Sequence, residues 1–198
     1  MATTEPVPAS SSSGTAKRLS HVALQTGQLP VLRDWYLTVL DAHVVFENEV
    51  LCLMTFDEEH HRIAMRQLPR PDERTSRTVG LGHSSYTFAT LSSLLSKYES
   101  LKDAGIRPYL PVQHGITTSL YYRDPDGNLA ELQIQNMPAE EATQYLYGEE
   151  CRLDPVGPSF DPDLMLAALR SGTSESELIT RSWALSCPQL NVTELLMS

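Results

Sequence analysis

Hydrophobic and polar residues follow two kinds of period along this chain, and the same order of periods occurs twice. Residues 19–27 alternate apolar and polar like a half-buried strand, and in residues 29–40 apolar positions recur at spacings of three and four, like an amphipathic helix. Three shorter strand-like runs follow, at 43–47, 51–56 and 61–67. This first unit is therefore predicted to be a strand, a helix and three strands.

The second unit repeats this order. Its predicted elements are a strand at 82–88, a helix at about 90–104 that ends at Gly105, and strands near 107–112, 117–123 and 129–135. The sequence Asp-Pro-Asp-Gly at 124–127 predicts a turn between the last two strands, because proline presets one backbone dihedral and glycine tolerates the left-handed conformation. Both units thus predict one strand, one helix and three strands.

A shift of 62 positions superposes the two units. It places His83 on His21 and Tyr98 on Tyr36. A repeat of this length is one supersecondary unit seen twice. Because each unit is too small to bury its own sheet, we expect two βαβββ modules to pair into one curved, mixed sheet with the helices outside, which is an α+β fold.

The changes in composition divide the chain into a lead, a paired domain and an extension. Residues 1–17 are rich in Ser, Pro and Thr and are predicted to be disordered. The paired domain is predicted over 18–137, with module one at 18–68, a charged and proline-containing linker at 69–80, and module two at 81–137. Residues 138–198 repeat nothing earlier and predict a helical C-terminal extension, with helices at 138–147, 161–170 and, more weakly, 173–186.

Composition excludes several classes of partner. A formal net charge of −10 argues against binding nucleic acid or an anionic membrane, and no apolar run approaches the length of a membrane span. The N-terminus lacks the charged start and apolar core of a secretory signal. Three widely spaced cysteines form neither a disulfide framework nor a zinc knuckle. We therefore expect a cytoplasmic protein in a reducing compartment.

Two histidines and a glutamate carry the candidate chemistry. His21 and His83 begin equivalent strands, and Glu131 interrupts an otherwise apolar strand; if 63–65 is matched to 129–131, Met65 stands where module two has Glu131. Pseudo-twofold pairing is predicted to bring the three polar residues around one point. Two imidazoles and one carboxylate leave up to three positions open on a divalent ion, which suits non-haem Fe(II) that holds an organic substrate and dioxygen.

Other candidates stay open when only their own residues are considered. His60 and His61 precede a strand and are typical of a solvated turn, although one of them could face a cleft. His114 lies in a loop that could equally be exposed. Tyr121 and Tyr122 are neighbours in a strand, so one of them points inward and the other outward.

Four stretches together carry a resemblance to a known family: His21, HHRIAM at 60–65, GH at 82–83 and HGITTSLYYRDPDGNLAEL at 114–132. The chain resembles the vicinal oxygen chelate superfamily over about residues 18–136, and is most similar to its type I extradiol ring-cleaving dioxygenases. The resemblance implies Fe(II) bound by His21, His83 and Glu131. It also implies a small aromatic diol and O2 as substrates, with His61, Tyr121 and His114 as catalytic residues.

Two alternatives remain within the same superfamily. A glyoxalase-like lyase or isomerase would use Mn, Zn, Ni or Co and generally needs a fourth protein ligand from the strand that holds Met65; Gln67, on the same strand face, could supply it. A metal-free small-molecule binding protein would have little use for the three predicted ligands. The resemblance also suggests a homo-oligomer, because the sheets of such paired modules often present flat edges.

Overall fold

The predicted order of elements is confirmed in the computed structural model, which describes residues 16–69, 71 and 79–197. The elements of module one are β1 (Val22–Thr26), α1 (Leu29–Leu40), β2 (His43–Glu47), β3 (Leu51–Thr55) and β4 (Ile63–Gln67). Those of module two are β5 (His83–Thr87), α2 (Leu91–Asp103), β6 (Leu110–Gln113), β7 (Thr117–Arg123) and β8 (Leu129–Gln135). Most of the predicted lead and most of the predicted linker lie outside the described residues.

The eight strands form two mixed sheets, one in each module. Their orders are β1, β4, β3, β2 and β5, β8, β7, β6, and in each sheet the first pair is parallel while the other pairs are antiparallel. The α+β class and the two βαβββ modules are therefore as predicted. Where one continuous sheet was expected, backbone pairing in the described chain stays within each module, and side chains join the two.

Each helix covers one face of its own sheet, and a few side chains connect the modules. Helix α1 packs on the first sheet around Tyr36, and α2 packs on the second around Tyr98. The hydroxyl of Tyr36 donates to Asp124 Oδ2 at 3.2 Å, and Gln28 Nε2 donates to Asp126 Oδ1 at 2.7 Å. The β7–β8 turn of module two is thus held against α1 of module one.

Replacing Tyr36 by phenylalanine is expected to lower the free energy of unfolding by about 1 kcal/mol, because it removes one buried hydrogen bond between the modules. The ring would still fill its site in the core, and Asp124 would keep the bonds from Asn128. Urea unfolding measures the difference. Tyr147→Phe, at a residue that is 71% exposed, is the control and should leave the midpoint unchanged. Equal midpoints for both variants would contradict the assigned role.

The C-terminal extension is helical, as predicted, but its helices are shorter and more numerous than expected. They are α3 (Ala139–Leu146), α4 (Glu149–Leu153), α5 (Pro162–Arg170), α6 (Glu175–Leu178), α7 (Arg181–Leu185) and α8 (Val192–Met197). The helix predicted at 173–186 is divided into α6 and α7, since the Thr180 side chain accepts from Trp183 N and starts a new helix there.

The extension wraps around the β6 edge of the second sheet. Met165 and Leu178 join the core beneath α2, whereas Val192 packs on the other face against Leu110. Between these contacts, Gln113 N in β6 donates to the carbonyl of residue 158 at 2.9 Å. An edge strand with unpaired backbone groups is thereby covered. In the described part of the chain, no helix is long and apolar enough to cross a bilayer.

Candidate active site

Most of the predicted site residues in module two lie on one face of the second sheet. Leu120, Tyr122 and Leu132 point toward α2, so the residues between them point away from it, and we call that side the open face. Glu131 pairs with Tyr121 on one side and with Ser85 on the other. His83 precedes Ser85 by two residues and therefore shares the open face.

His83 and Glu131 are in direct contact. His83 Nε2 lies 3.2 Å from Glu131 Oε2, and Glu131 is only 5% exposed. Burial by itself would raise the pKa of Glu131, but hydrogen bonds from His83, Ser119 and Ser85 lower it to about 2. The same hydrogen bond to Glu131 raises the pKa of His83. Glu131 is therefore an ionised carboxylate at neutral pH, held by several donors.

Tyr121 and His114 adjoin this pair. The Tyr121 ring lies edge-on to His83, with ring centroids 5.4 Å apart, and its hydroxyl lies 3.0 Å from His114 Nε2. The other ring nitrogen of His114 lies 2.6 Å from the carbonyl oxygen of Val156, which can only accept. Burial lowers the pKa of His114. The imidazole is therefore neutral, donating from Nδ1 to Val156 and accepting at Nε2 from Tyr121.

His21 and His61 form a second group. Their rings lie 4.4 Å apart between centroids, and His61 Nδ1 lies 2.8 Å from His60 Nδ1. His61 is placed just before β4, in the turn that follows β3. Burial, together with His21 and His60, lowers the pKa of His61. A neutral imidazole therefore stands directly beside the predicted ligand of module one.

The structure thus brings together some of the predicted site residues and not others. His83 and Glu131 meet each other, and Tyr121 meets His114, whereas the ring contact of His21 is with His61. Among the residues that the structure describes, no group of three or more His, Cys, Asp or Glu side chains is arranged to hold a metal ion. The full ligand set stays a prediction.

The module-one counterpart of Glu131 is Ala64, and the match with Met65 was wrong by one residue. Ala23 pairs with Ala64, and Ser85, which lies 62 positions after Ala23, pairs with Glu131. Met65 instead points toward α1 and is fully buried in the core of module one. The module-one residue equivalent to Glu131 is still apolar, as expected, but Ala64 is smaller than Met65.

Gln67 does not face the side of the sheet on which Ala64 lies. Its Oε1 accepts from Leu29 N at 2.8 Å, and its Nε2 donates to the carbonyl of Gly27 at 2.9 Å. The amide therefore caps the first turn of α1, which has no side-chain cap of its own. A shifted alignment that makes Gln67 a fourth ligand is not supported by this placement.

Sequence reasoning missed some residues of the site. Ser85 and Ser119 flank Glu131 and lower its pKa, and their signal was a small polar residue at every second position of a strand on the same face. Val156 acts through its backbone carbonyl, which any residue could supply, so the sequence carries no signal for it.

Comparisons with known proteins give the family. The model of the Glyoxalase/Bleomycin resistance protein/Dioxygenase superfamily matches residues 18–132. A biphenyl-2,3-diol 1,2-dioxygenase 3 of Rhodococcus globerulus is 54% identical over 184 residues, covering 91% of this chain and 97% of that protein. A biphenyl-2,3-diol 1,2-dioxygenase 2 of the same organism is 54% identical over 170 residues, covering 85% and 90%. The first match extends well beyond residue 132 into the C-terminal extension.

Solved structures agree on the fold. A glyoxylase/bleomycin resistance protein/dioxygenase domain from Frankia sp. EAN1pec has a TM-score of 0.50 and 19% identity, covering 61% of this chain and 93% of that one. At this identity the likeness shows the fold alone. Together with the family model and the two relatives, it confirms the resemblance read from the sequence, and the chain belongs to the Glyoxalase/Bleomycin resistance protein/Dioxygenase superfamily.

Proposed function

We propose that the protein is an extradiol dioxygenase that cleaves the ring of a small aromatic diol with O2. The observation that carries the proposal is the buried, ionised Glu131 in contact with His83, beside Tyr121 and His114 on the open face. Two relatives at 54% identity are named for dioxygenation at carbons 1 and 2 of a 2,3-diol. In such a compound the attacked bond lies next to the diol, which is the extradiol position.

The spacing of two of the proposed ligands fits a divalent metal. Two ligands, each about 2.0–2.2 Å from one ion, stand about 3 Å apart, and His83 Nε2 and Glu131 Oε2 are 3.2 Å apart. We propose His21 as the third ligand. Because Ala64 supplies no donor at the fourth place, the set would be two histidines and one carboxylate, which is typical of non-haem Fe(II). We therefore propose Fe(II) as the metal.

The chain's own side chains would orient the substrate and move its protons. Fe(II) would hold the diol oxygens next to dioxygen and lower the pKa of the diol. His61 is proposed to accept the proton that the diol loses and later to return one to oxygen, since it is a neutral imidazole beside His21. Tyr121, whose hydroxyl can donate to His114 or to Glu131, keeps oxygen lone pairs that can accept a hydrogen bond from the substrate.

The lyase or isomerase alternative is less well supported. It generally needs a fourth protein ligand, and β4 presents Ala64 at that place while Gln67 caps α1. A metal-free binding protein would gain nothing from a buried carboxylate held against His83.

Anaerobic metal analysis, followed by addition of biphenyl-2,3-diol and then air, tests the proposal. We expect about one iron per chain, oxygen uptake and a yellow ring-opened product that forms only after air is admitted. Zinc, nickel, cobalt or manganese without oxygen uptake would replace the proposal with the lyase or isomerase. Protein that contains no metal and takes up none under anaerobic conditions would leave a binding protein.

A further inference from the structure

We propose that Arg181 and Asp154, in the C-terminal extension, are positioning residues for the candidate active site. Their ion pair holds residues 154–157 in place, so that the carbonyl of Val156 fixes the tautomer and orientation of His114 and, through His114, the hydroxyl of Tyr121. The effect on catalysis rests on the proposed function, whereas the effect on His114 does not.

Arg181 is a buried cation that pairs with Asp154 of this segment and also with Glu150, whose Oε1 lies 3.5 Å from Nε. Its side chain is 8% exposed, Nη2 lies 2.5 Å from Asp154 Oδ2, and Nη1 donates to the Asp154 carbonyl at 3.2 Å. Nη1 also donates to Tyr145 Oη at 3.3 Å. A guanidinium that contacts both the side chain and the backbone of one residue fixes the position of that residue more firmly than a single charge contact would.

Asp154 passes this restraint to the next residues. Its second oxygen, Oδ1, accepts from Gly157 N at 3.0 Å. Gly157 has a left-handed φ of 98°, and a Cβ there would lie 2.0 Å from the carbonyl oxygen of Gln113. Only glycine fits such a close approach of two backbones. Val156 is thus held between a fixed Asp154 and a glycine that is pressed against the residue preceding His114.

The carbonyl of Val156 determines which nitrogen of His114 carries the proton. Because that oxygen can only accept, at 2.6 Å it requires a proton on Nδ1, and in a neutral ring Nε2 is then free to accept from Tyr121 at 3.0 Å. If the carbonyl moved away, the proton could sit on either nitrogen and the ring could turn. Tyr121 would then lose His114 as a fixed acceptor and keep only Glu131 within hydrogen-bonding reach of its hydroxyl.

Nitrogen NMR of His114 in the metal-free protein tests the positioning role directly. Spectra of 15N-histidine-labelled protein report which ring nitrogen is protonated, and His114→Gln identifies the signals. We expect Nδ1 alone to be protonated in the wild type, and a mixture of tautomers in Arg181→Gln and Asp154→Asn. Arg181→Lys keeps the charge but not the planar fork of donors, so its His114 tautomer ratio should lie between that of the wild type and those of the two variants. Asp154, whose side chain is 51% exposed, provides a second variant if Arg181→Gln does not fold.

Arg170→Gln is the control, because Arg170 is also in the extension but pairs with Glu99 of α2, at 2.6 Å, and not with the 154–157 segment. It should leave the His114 signals and turnover unchanged. In the iron-loaded enzyme, the Arg181 and Asp154 variants should lose about tenfold or more in kcat at unchanged iron content. A small displacement of His114 and Tyr121 is enough to lower the rate of the chemical step by this much.

Unchanged His114 signals in both folded variants would overturn the positioning role. If the variants show a tautomer mixture but a wild-type kcat, the ion pair positions His114 without affecting catalysis, and the catalytic part of the proposal is overturned. A tautomer mixture in a protein that shows no oxygen uptake with any diol would support the positioning of His114 and reject the proposed function instead.

Discussion

Replacing Glu131 by glutamine is expected to abolish nearly all ring cleavage and to release most of the bound iron. The carboxylate is 5% exposed and ionised, and it contacts His83 within the proposed ligand set. Glutamine has the same shape, so the loss reports the missing charge. We expect kcat/KM to fall by at least about 100-fold, because removing even an outer partner of a metal ligand costs 10–100-fold. Iron per chain and oxygen uptake measure the two effects.

Glu99→Gln is the control for this variant, since it neutralises a carboxylate on α2 that pairs with Arg170 at the surface. It should retain both iron and turnover. A Glu131→Gln protein that holds iron as well as the wild type and cleaves diols at a similar rate would remove Glu131 from the ligand set. If it retained iron but lost turnover, Glu131 would act on the substrate instead of the metal.

Much of the fold could be predicted because its elements are strongly periodic. Helix α1 and strands β7 and β8 have the predicted bounds. Apolar residues recur at spacings of three and four along α1, and the turn sequence at 124–127 separates β7 from β8. Helices α4 and α8 were not predicted, because five or six residues span too few turns to show a period. The single helix predicted at 173–186 failed for a different reason: a side-chain cap at Thr180 ended one helix and began another.

The candidate site could be predicted only as far as residue type and strand alternation reach. The repeat predicted that His21, His83 and Glu131 lie around one point, and the structure puts His83 and Glu131 in contact. The repeat misplaced Met65 by one position, because Ile-Ala and Leu-Ala look alike in the two modules and only the strand register separates them. The dependence of His114 on Val156 could not be predicted, since it joins a backbone carbonyl to a residue 42 positions away.

The C-terminal extension thereby gains a role that its sequence did not indicate. It covers the exposed edge at β6, and it also reaches the open face, where Val156 and Val192 lie close to the hydroxyl-bearing Tyr121. The second sheet is therefore contacted by α2 on one face and by the extension on the other. In module one, β2 is exposed along its whole length. This asymmetry matches the asymmetry of the chemistry, because the carboxylate and the tyrosine both belong to module two.

His61→Phe is expected to keep the iron and to lose about 10²–10⁴-fold in kcat, which is the usual contribution of a general acid or base. Phenylalanine retains a ring beside His21 but can neither accept nor donate a proton. Single-turnover oxygen uptake with an iron-loaded, diol-saturated enzyme separates this loss from weaker substrate binding.

Two other histidines supply the comparison that makes the assignment of His61 specific. His60→Phe changes the residue whose Nδ1 lies 2.8 Å from His61 Nδ1, and should cost less than the loss at His61 because His60 does not stack on His21. His43→Phe, at the exposed start of β2, should cost nothing. If His60→Phe lost turnover while His61→Phe kept it, the proton would move through His60. Full activity in both would mean that neither histidine carries a proton, and the acceptor would have to be sought among Tyr121, His114 and bound water on the open face.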